Sequence, residues 1–139
     1  MEQSEFPPAE IRCGDKLFAI EYFKTYPEYA KMGNPYNTTF GIRVVSGAFS
    51  GYASCEYDIK EFARFVSEAE EVYLFKKCKA ELNEICYGSN ASFIIDKTGH
   101  LEISGEIFDE AADQSLVFRF KADQTCLGEF VRILKAYLE

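Results

Sequence analysis

Alternating apolar and polar residues predict a first group of β-strands in the N-terminal half of the chain. An extended segment over 12–23 contains Gly14-Asp15, which favours a tight turn and hence a hairpin. Two further strands are predicted over 38–46 and 49–57, with a turn starting at Ser46-Gly47 between them. Because the links are short, consecutive strands should pair antiparallel. One face of the last two strands carries Phe40, Ile42, Val44, Phe49, Gly51, Ala53, Cys55 and Tyr57.

A second group of strands is predicted in the C-terminal half. The most regular alternation runs over 101–107, where apolar residues face one way and polar residues the other. A strand over 91–96 precedes it across the turn residues Lys97-Thr98-Gly99, and a strand over 116–120 follows a polar loop. The segment 79–86 is ambiguous, because its apolar positions change phase.

Residues with helical periodicity follow each group of strands. The first long helix should begin after Asp58, which can cap it, with Glu61 reaching back to the N–H of the cap residue. The second should run over 125–138, and a shorter helix fits between Pro27 and Gly33. The apolar stripes of the two long helices are Ile59, Phe62, Ala63, Val66, Ala69 and Tyr73, then Leu127, Phe130, Val131, Leu134 and Leu138.

The order of strands, helix, strands and helix predicts an α+β fold. We expect a largely antiparallel sheet of about six to eight strands with two main helices packed on it. Residues 1–139 should form a single domain with a loose tail over 1–9, since no repeated segment or domain linker is visible.

Composition narrows the classes of partner. The chain of 139 residues is 47% hydrophobic and carries a net charge of −8. Nucleic acid and anionic membranes attract positive charge, so neither is an expected partner. Apolar runs never exceed four residues, which fits neither a transmembrane helix nor a signal-peptide core. We therefore expect a cytoplasmic protein.

The cysteines and the single histidine give little support for chemistry. Five cysteines occur without any Cys-x-x-Cys pair, and His100 has no cysteine close by in sequence. This spacing does not suit a zinc site, so no metal and no cofactor are expected and the thiols should be reduced. His100 follows Gly99 at the exit of a turn, which is typical of a solvated side chain. No catalytic residue is assigned.

Two clusters are better candidates for binding another protein. An acidic segment without a basic residue would speed association with a basic partner. An irregular segment over 22–36 is unusually rich in tyrosine, a residue favoured at interfaces. The predicted partner-binding residues are Glu102, Glu106, Asp109, Glu110 and Asp113, with Tyr26, Tyr29 and Tyr36 as aromatic anchors.

Several motifs together resemble the WapI-like immunity proteins of bacteria. They are Gly47-Ala48-Phe49-Ser50-Gly51 between two strands, Asp58-Ile59 with Phe62 opening a helix, the alternating runs 99–107 and 116–120, and Asp123-Gln124-Thr125 before the last helix. The resemblance covers roughly residues 40–134. It implies a non-catalytic cytosolic protein that binds and neutralises a cognate toxin domain, often a nuclease with a basic surface. It supplies no catalytic residues.

Three other functions stay open at this point. The aromatic residues could line a small-ligand pocket between a sheet and a helix. An enzyme would need His100 and a carboxylate to converge in a cleft. An unpaired strand edge could also recruit a second copy of the chain and form a homo-oligomer.

Overall fold

The protein is an α+β structure in which eight antiparallel strands form two four-stranded sheets. The computed structural model describes residues 6–111 and 113–139. Sheet A contains β1 (Ala9–Cys13), β2 (Lys16–Thr25), β3 (Thr38–Ser46) and β4 (Phe49–Tyr57). Sheet B contains β5 (Lys79–Asn83), β6 (Asn90–Ile95), β7 (His100–Phe108) and β8 (Ser115–Asp123). The helices are α1 (Pro27–Lys31), α2 (Ile59–Tyr73) and α3 (Cys126–Tyr137).

Each sheet is a simple meander whose strands lie in sequence order. The antiparallel α+β class, the strand number and the two main helices are as predicted. The strands divide between two sheets because α2 separates β4 from β5, so the two groups do not pair edge to edge.

Sheet A follows the predicted alternation closely. Ile42 lies opposite Ile20 on one side and Ala53 on the other, and all three side chains are buried. Phe49 belongs to the same face yet is 70% exposed, because it sits at the tip of the β3–β4 hairpin, beyond the core. On β4, the other face carries the less buried residues Tyr52, Ser54 and Glu56.

Sheet B buries the apolar face predicted for β7. Phe93, Ile103 and Phe120 lie side by side on three adjacent strands and are buried. Gly105 allows β6 to approach closely, since a Cβ atom at that position would lie 2.1 Å from the carbonyl oxygen of Asn90. The ambiguous segment 79–86 is a strand only as far as Asn83 and continues as a loop.

The start of α2 is capped by Asp58, whose carboxylate accepts a hydrogen bond from the Lys60 N–H at 3.0 Å. The predicted return contact from Glu61 is absent from the described hydrogen bonds, and Glu61 pairs with Arg64 instead. The Asn37 side chain, from the loop before β3, accepts the Ile59 N–H. Long-range contact therefore replaces the local capping box.

The buried face of α2 is wider than predicted. It includes two side chains outside the expected stripe, Phe65 and Val72, because the helix is covered by both sheets and by α3. Ile59, Ala63 and Tyr73 are only half-buried.

The end of α3 corrects another expectation. Leu138 was predicted to be buried but is exposed, while Tyr137 is buried and donates hydrogen bonds to the carbonyls of Pro7 at 2.6 Å and Ile20 at 3.3 Å. Phe6 packs edge-on against the Tyr137 ring. The described part of the predicted tail is thus packed against α3 and leads into β1, and residues 1–5 lie outside the described residues.

One hydrophobic cluster joins both sheets and both long helices. Phe18 of sheet A contacts Phe93 of sheet B edge-on, and the Phe130 ring of α3 packs against both. The helix after each meander lies against the edge strand of the other, since α2 packs on β5 and α3 packs on β1. The inner faces of the sheets are therefore closed, and their outer faces remain exposed.

Candidate functional site

The five predicted acidic residues divide between a strand and the loop that follows it. Glu102 and Glu106 lie on the outer face of sheet B, half-buried among their cross-strand neighbours. Glu102 is opposite Lys121, and the Glu106 carboxylate accepts a hydrogen bond from the Ser115 hydroxyl at 2.7 Å. Glu102 thus has a basic residue across the strand, and the Glu106 carboxylate has one hydrogen-bond donor.

The remaining three acidic residues lie in the β7–β8 loop. The Asp109 carboxylate accepts the backbone N–H of Asp113 at 2.9 Å and that of Gln114 at 3.4 Å, so it stabilises the turn. Asp113 and Glu110 are exposed. Glu110 alone of this set reaches a groove that also contains residues of sheet A.

The three predicted tyrosines cluster around α1. The rings of Tyr26 and Tyr29 stack with their centroids 5.5 Å apart, and the Lys24 ammonium lies 5.3 Å from the Tyr26 ring. The Tyr36 N–H is held by the Asn34 side chain. Tyr29 and Tyr36 are each 43% exposed, so their rings could contact a partner. They do not line the groove that Glu110 reaches.

That groove, of about 350 Å³, lies on the outer side of sheet A. It is bounded by strands β2, β3 and β4 on one side, and by the β5–β6 and β7–β8 loops of the other half on the other. We name it the inter-sheet groove. Its chemistry comes from Tyr22, Tyr52, Ser54, Glu56, Tyr87 and Glu110.

Tyr22 is presented by an irregularity in β2. The pairing with β3 shifts register between Glu21 and Lys24, and Tyr22 has a φ of +58°, in the left-handed region. That conformation is unfavourable for a bulky residue, so the bulge destabilises the fold locally while it directs this ring outward. The side chain is 62% exposed at the edge of the groove.

Tyr52 lies flat across β3 because Gly41 leaves room for it. A Cβ atom at Gly41 would lie 1.9 Å from the Tyr52 hydroxyl oxygen. The Arg43 guanidinium sits 4.9 Å from the Tyr52 ring centroid and is itself held by Glu21, with 3.1 Å between Arg43 Nε and a carboxylate oxygen. Partial burial raises the pKa of Tyr52, with Glu21 adding to the shift.

The wall of the groove is anchored by Glu84, a carboxylate that is only 5% exposed. It accepts four backbone N–H groups, from Glu56 of β4 and from Cys86, Tyr87 and Gly88 of the β5–β6 loop. Since each oxygen accepts two N–H groups, the buried charge is well satisfied. Glu84 therefore fixes the loop of the second half against the last strand of the first.

Carboxylates near the groove raise the pKa of two neighbouring groups. A hydrogen bond to the Glu56 carboxylate raises the pKa of the Cys86 thiol, and Glu84 adds to that shift. A hydrogen bond with Cys86 raises the pKa of Tyr87, and Glu110 and Glu56 contribute in the same direction. Both groups hold their protons more tightly, as expected where carboxylates favour positive charge.

His100 occupies a different region. Its side chain is 74% exposed at the β6–β7 turn, where Nδ1 lies 2.8 Å from the Thr98 hydroxyl and 3.2 Å from the Asp96 carboxylate. Hydrogen bonds from the Thr98 side chain and the His100 N–H lower the pKa of Asp96 far below its usual range. The imidazole borders a shallow depression of about 420 Å³ with Ile94, Glu102 and Lys121. It meets a carboxylate there, but within a solvated turn rather than a deep cleft.

Cys55 is a buried thiol of β4. Burial raises the pKa of Cys55 strongly, so this thiol stays protonated. Among the residues that the structure describes, no three His, Cys, Asp or Glu side chains are grouped so as to hold a metal ion. No helix in that same part of the chain is both long and apolar enough to span a bilayer.

Five of the six residues that give the inter-sheet groove its chemistry were not selected from the sequence: Tyr22, Tyr52, Ser54, Glu56 and Tyr87. The alternation of β4 does place Tyr52, Ser54 and Glu56 on the outer face, so this signal was present for those three. Nothing in the alternation indicates the bulge at Tyr22 or the loop that carries Tyr87.

Comparisons with known proteins add information on the fold. No protein-family model matches the chain, and no curated protein matches it. The solved structure of MRP1/MRP2 from Trypanosoma brucei is similar, with a TM-score of 0.51 and 14% sequence identity over 88% of this chain and 73% of that one. At this identity the likeness shows a shared arrangement of strands and helices and nothing about activity.

Proposed function

We propose that this protein is a non-catalytic binding protein of the immunity type, acting in the bacterial cytoplasm. It binds a basic protein partner, the cognate toxin domain, and covers the surface with which that domain works. The observation that carries the proposal is the inter-sheet groove, where the carboxylates of Glu56 and Glu110 stand beside exposed tyrosine rings.

Electrostatics support a basic partner. With a net charge of −8, the protein attracts a cationic domain over a distance comparable to the Debye length of about 8 Å at physiological salt. Exposed tyrosines then supply contact area at a low cost in side-chain entropy. The carboxylates steer and orient the approaching partner, and the aromatic rings contribute to the stability of the complex, as in many protein interfaces.

The surroundings of the other polar clusters also favour binding over catalysis. His100 and Asp96 are engaged with each other and with Thr98 in an exposed turn. The inter-sheet groove and the depression beside His100 are lined by residues of strands and loops, whereas the small-ligand alternative would place its pocket between a sheet and a helix.

The proposal is tested with the product of the gene immediately upstream, which the proposal predicts to include a basic toxin domain. Biolayer interferometry should give a nanomolar complex whose association rate falls roughly tenfold or more between low and high salt. Co-expression should also restore growth of cells that carry the toxin. A toxin that shows no complex and is not neutralised would overturn the proposal, whereas a salt-independent complex would remove only its electrostatic part. Light scattering of the free protein tests the homo-oligomer alternative in the same series.

A further inference from the structure

We infer that the inter-sheet groove receives one arginine side chain of the protein partner, gripped between the carboxylates of Glu56 and Glu110 and the tyrosine rings. This inference rests on the proposed function and deepens it. It assigns the anchor point of the interface to sheet A and its neighbouring loops, away from the acidic outer face of sheet B.

The carboxylates of the groove have no basic ion-pair partner in the part of the chain that the structure describes. Neither Glu56 nor Glu110 forms an ion pair with a basic side chain anywhere in residues 6–111 and 113–139. Arg43, which touches Tyr52, is already held by Glu21. Glu56 accepts a hydrogen bond from the Cys86 thiol, which is a weak donor. A cation entering from outside would therefore displace no basic side chain of the described residues.

The shape and lining of the groove favour a guanidinium over other cations. Its volume of about 350 Å³ equals that of roughly ten water molecules, enough for one long side chain. Guanidinium groups stack flat on aromatic rings and bind carboxylates through two parallel hydrogen bonds, whereas an ammonium is a compact and strongly hydrated charge. Three tyrosines, Tyr22, Tyr52 and Tyr87, provide the rings.

The groove is formed before any partner arrives. The bulge in β2 fixes Tyr22, Gly41 leaves the space that Tyr52 occupies, and Glu84 holds the backbone of Tyr87. Since these contacts belong to the folded chain itself, little ordering remains to oppose binding.

The first test uses a probe in place of the partner. Acetyl-arginine methylamide is titrated into the ¹⁵N-labelled protein, with the lysine analogue and the neutral citrulline analogue in parallel. We expect saturable shifts at Ser54, Glu56 and Tyr87 with a dissociation constant on the order of 1 mM for arginine, weaker binding of lysine and none of citrulline. Equal shifts from citrulline, or no saturable shift in the groove, would overturn the inference.

The second test uses a charge-neutral double variant of the full chain. Glu56→Gln with Glu110→Gln should weaken the arginine probe and the toxin partner each by roughly tenfold or more, as for the loss of charge-assisted hydrogen bonds. A matched control, Asp123→Asn with Glu139→Gln, removes the same charge at exposed positions outside the groove and should change neither affinity by more than about twofold. Circular dichroism confirms that both variants are folded.

The two proposals fail in different ways. If the toxin binds the double variant as tightly as the unaltered protein, the arginine anchor is wrong and the immunity function stands. If the arginine probe binds as described but no toxin does, the groove is a cation site and the immunity function is wrong.

Discussion

The outer faces of the two sheets share an alternating pattern but differ in what their carboxylates contact. On sheet B, Glu102 lies opposite Lys121 and Glu106 accepts the Ser115 hydroxyl. On the sheet A side, Glu56 and Glu110 form no ion pair with any described residue and stand beside exposed tyrosines. Equal charge in the sequence therefore comes with different surroundings. Sheet B places a lysine across the strand from Glu102, whereas the groove places exposed aromatic rings, which add contact area for a partner, beside its carboxylates.

Glu84, which joins the β5–β6 loop to β4 of sheet A, gives the largest expected effect. Glu84→Ala removes the buried carboxylate that accepts four N–H groups and should destabilise the protein by about 3–5 kcal/mol. Urea denaturation measures the loss. Glu81→Ala, at an exposed position of β5, is the control and should cost less than about 0.5 kcal/mol. A Glu84→Ala protein as stable as the control would show that the joint is not structural.

Each sheet contains a glycine at which an added methyl group would clash, but the group that it would meet differs between the two sheets. Gly105→Ala places a methyl group against the backbone of β6, which cannot yield, so we expect a loss of about 3 kcal/mol or more. Gly41→Ala meets only the end of the Tyr52 side chain, which can rotate away, and should cost about 1 kcal/mol. Thermal unfolding compares the two. Toxin binding should nevertheless weaken in Gly41→Ala, since Tyr52 leaves the groove.

Tyr137 is buried, in contrast to the exposed tyrosines of the groove, and its ionisation should make the stability of the fold depend on pH. Burial raises the pKa of Tyr137 from 10.0 to about 12, so the folded state keeps a proton that the unfolded state loses. The stabilisation is complete below pH 10 and is lost as the pH rises towards 12, because ionisation favours unfolding in that range.

Tyr137→Phe should cost about 1–2 kcal/mol at neutral pH through the lost hydrogen bonds to Pro7 and Ile20. It should also flatten the fall in stability between pH 10 and 12, with a residual slope from Tyr52 and Tyr57, whose pKa values burial also raises. Denaturation midpoints across this range measure both effects. An unchanged slope would exclude Tyr137 as the titrating group.

The smallest expected effect concerns sheet B. Glu102→Gln with Glu106→Gln removes two charges from the face that the sequence favoured, yet should slow toxin association by no more than about twofold. Stopped-flow association at low salt makes the measurement. A tenfold decrease would instead place the interface on sheet B.

The fold could be predicted from the sequence to a large extent because its strands are local. Alternation at positions such as Phe40, Ile42 and Val44 sets the buried face, and turns at Gly14 and Gly99 set the hairpins. The division into two sheets could not be predicted, since it depends on how α2 and α3 share the inner faces. Capping of α2 likewise involves Asn37, which lies 22 residues before Ile59.

The groove was harder to foresee for the same reason. Tyr22, Glu56, Tyr87 and Glu110 come from four separate segments, and a bulge with a φ of +58° at Tyr22 has no signature in the sequence pattern. The acidic run over 102–113 was conspicuous in the sequence. However, the Asp109 carboxylate accepts a hydrogen bond within its own turn, and the Glu106 carboxylate accepts one from the neighbouring strand of sheet B. Density of charge along the chain identified one of the two carboxylates in the groove.

The exchange of helices between the two meanders has a consequence for cooperativity. Each half of the molecule carries the helix that its counterpart needs, so neither can keep a closed core if the other melts. A cut in the segment between α2 and β5 would produce two fragments that are each incomplete but mutually complementary, and they should regain structure only when mixed.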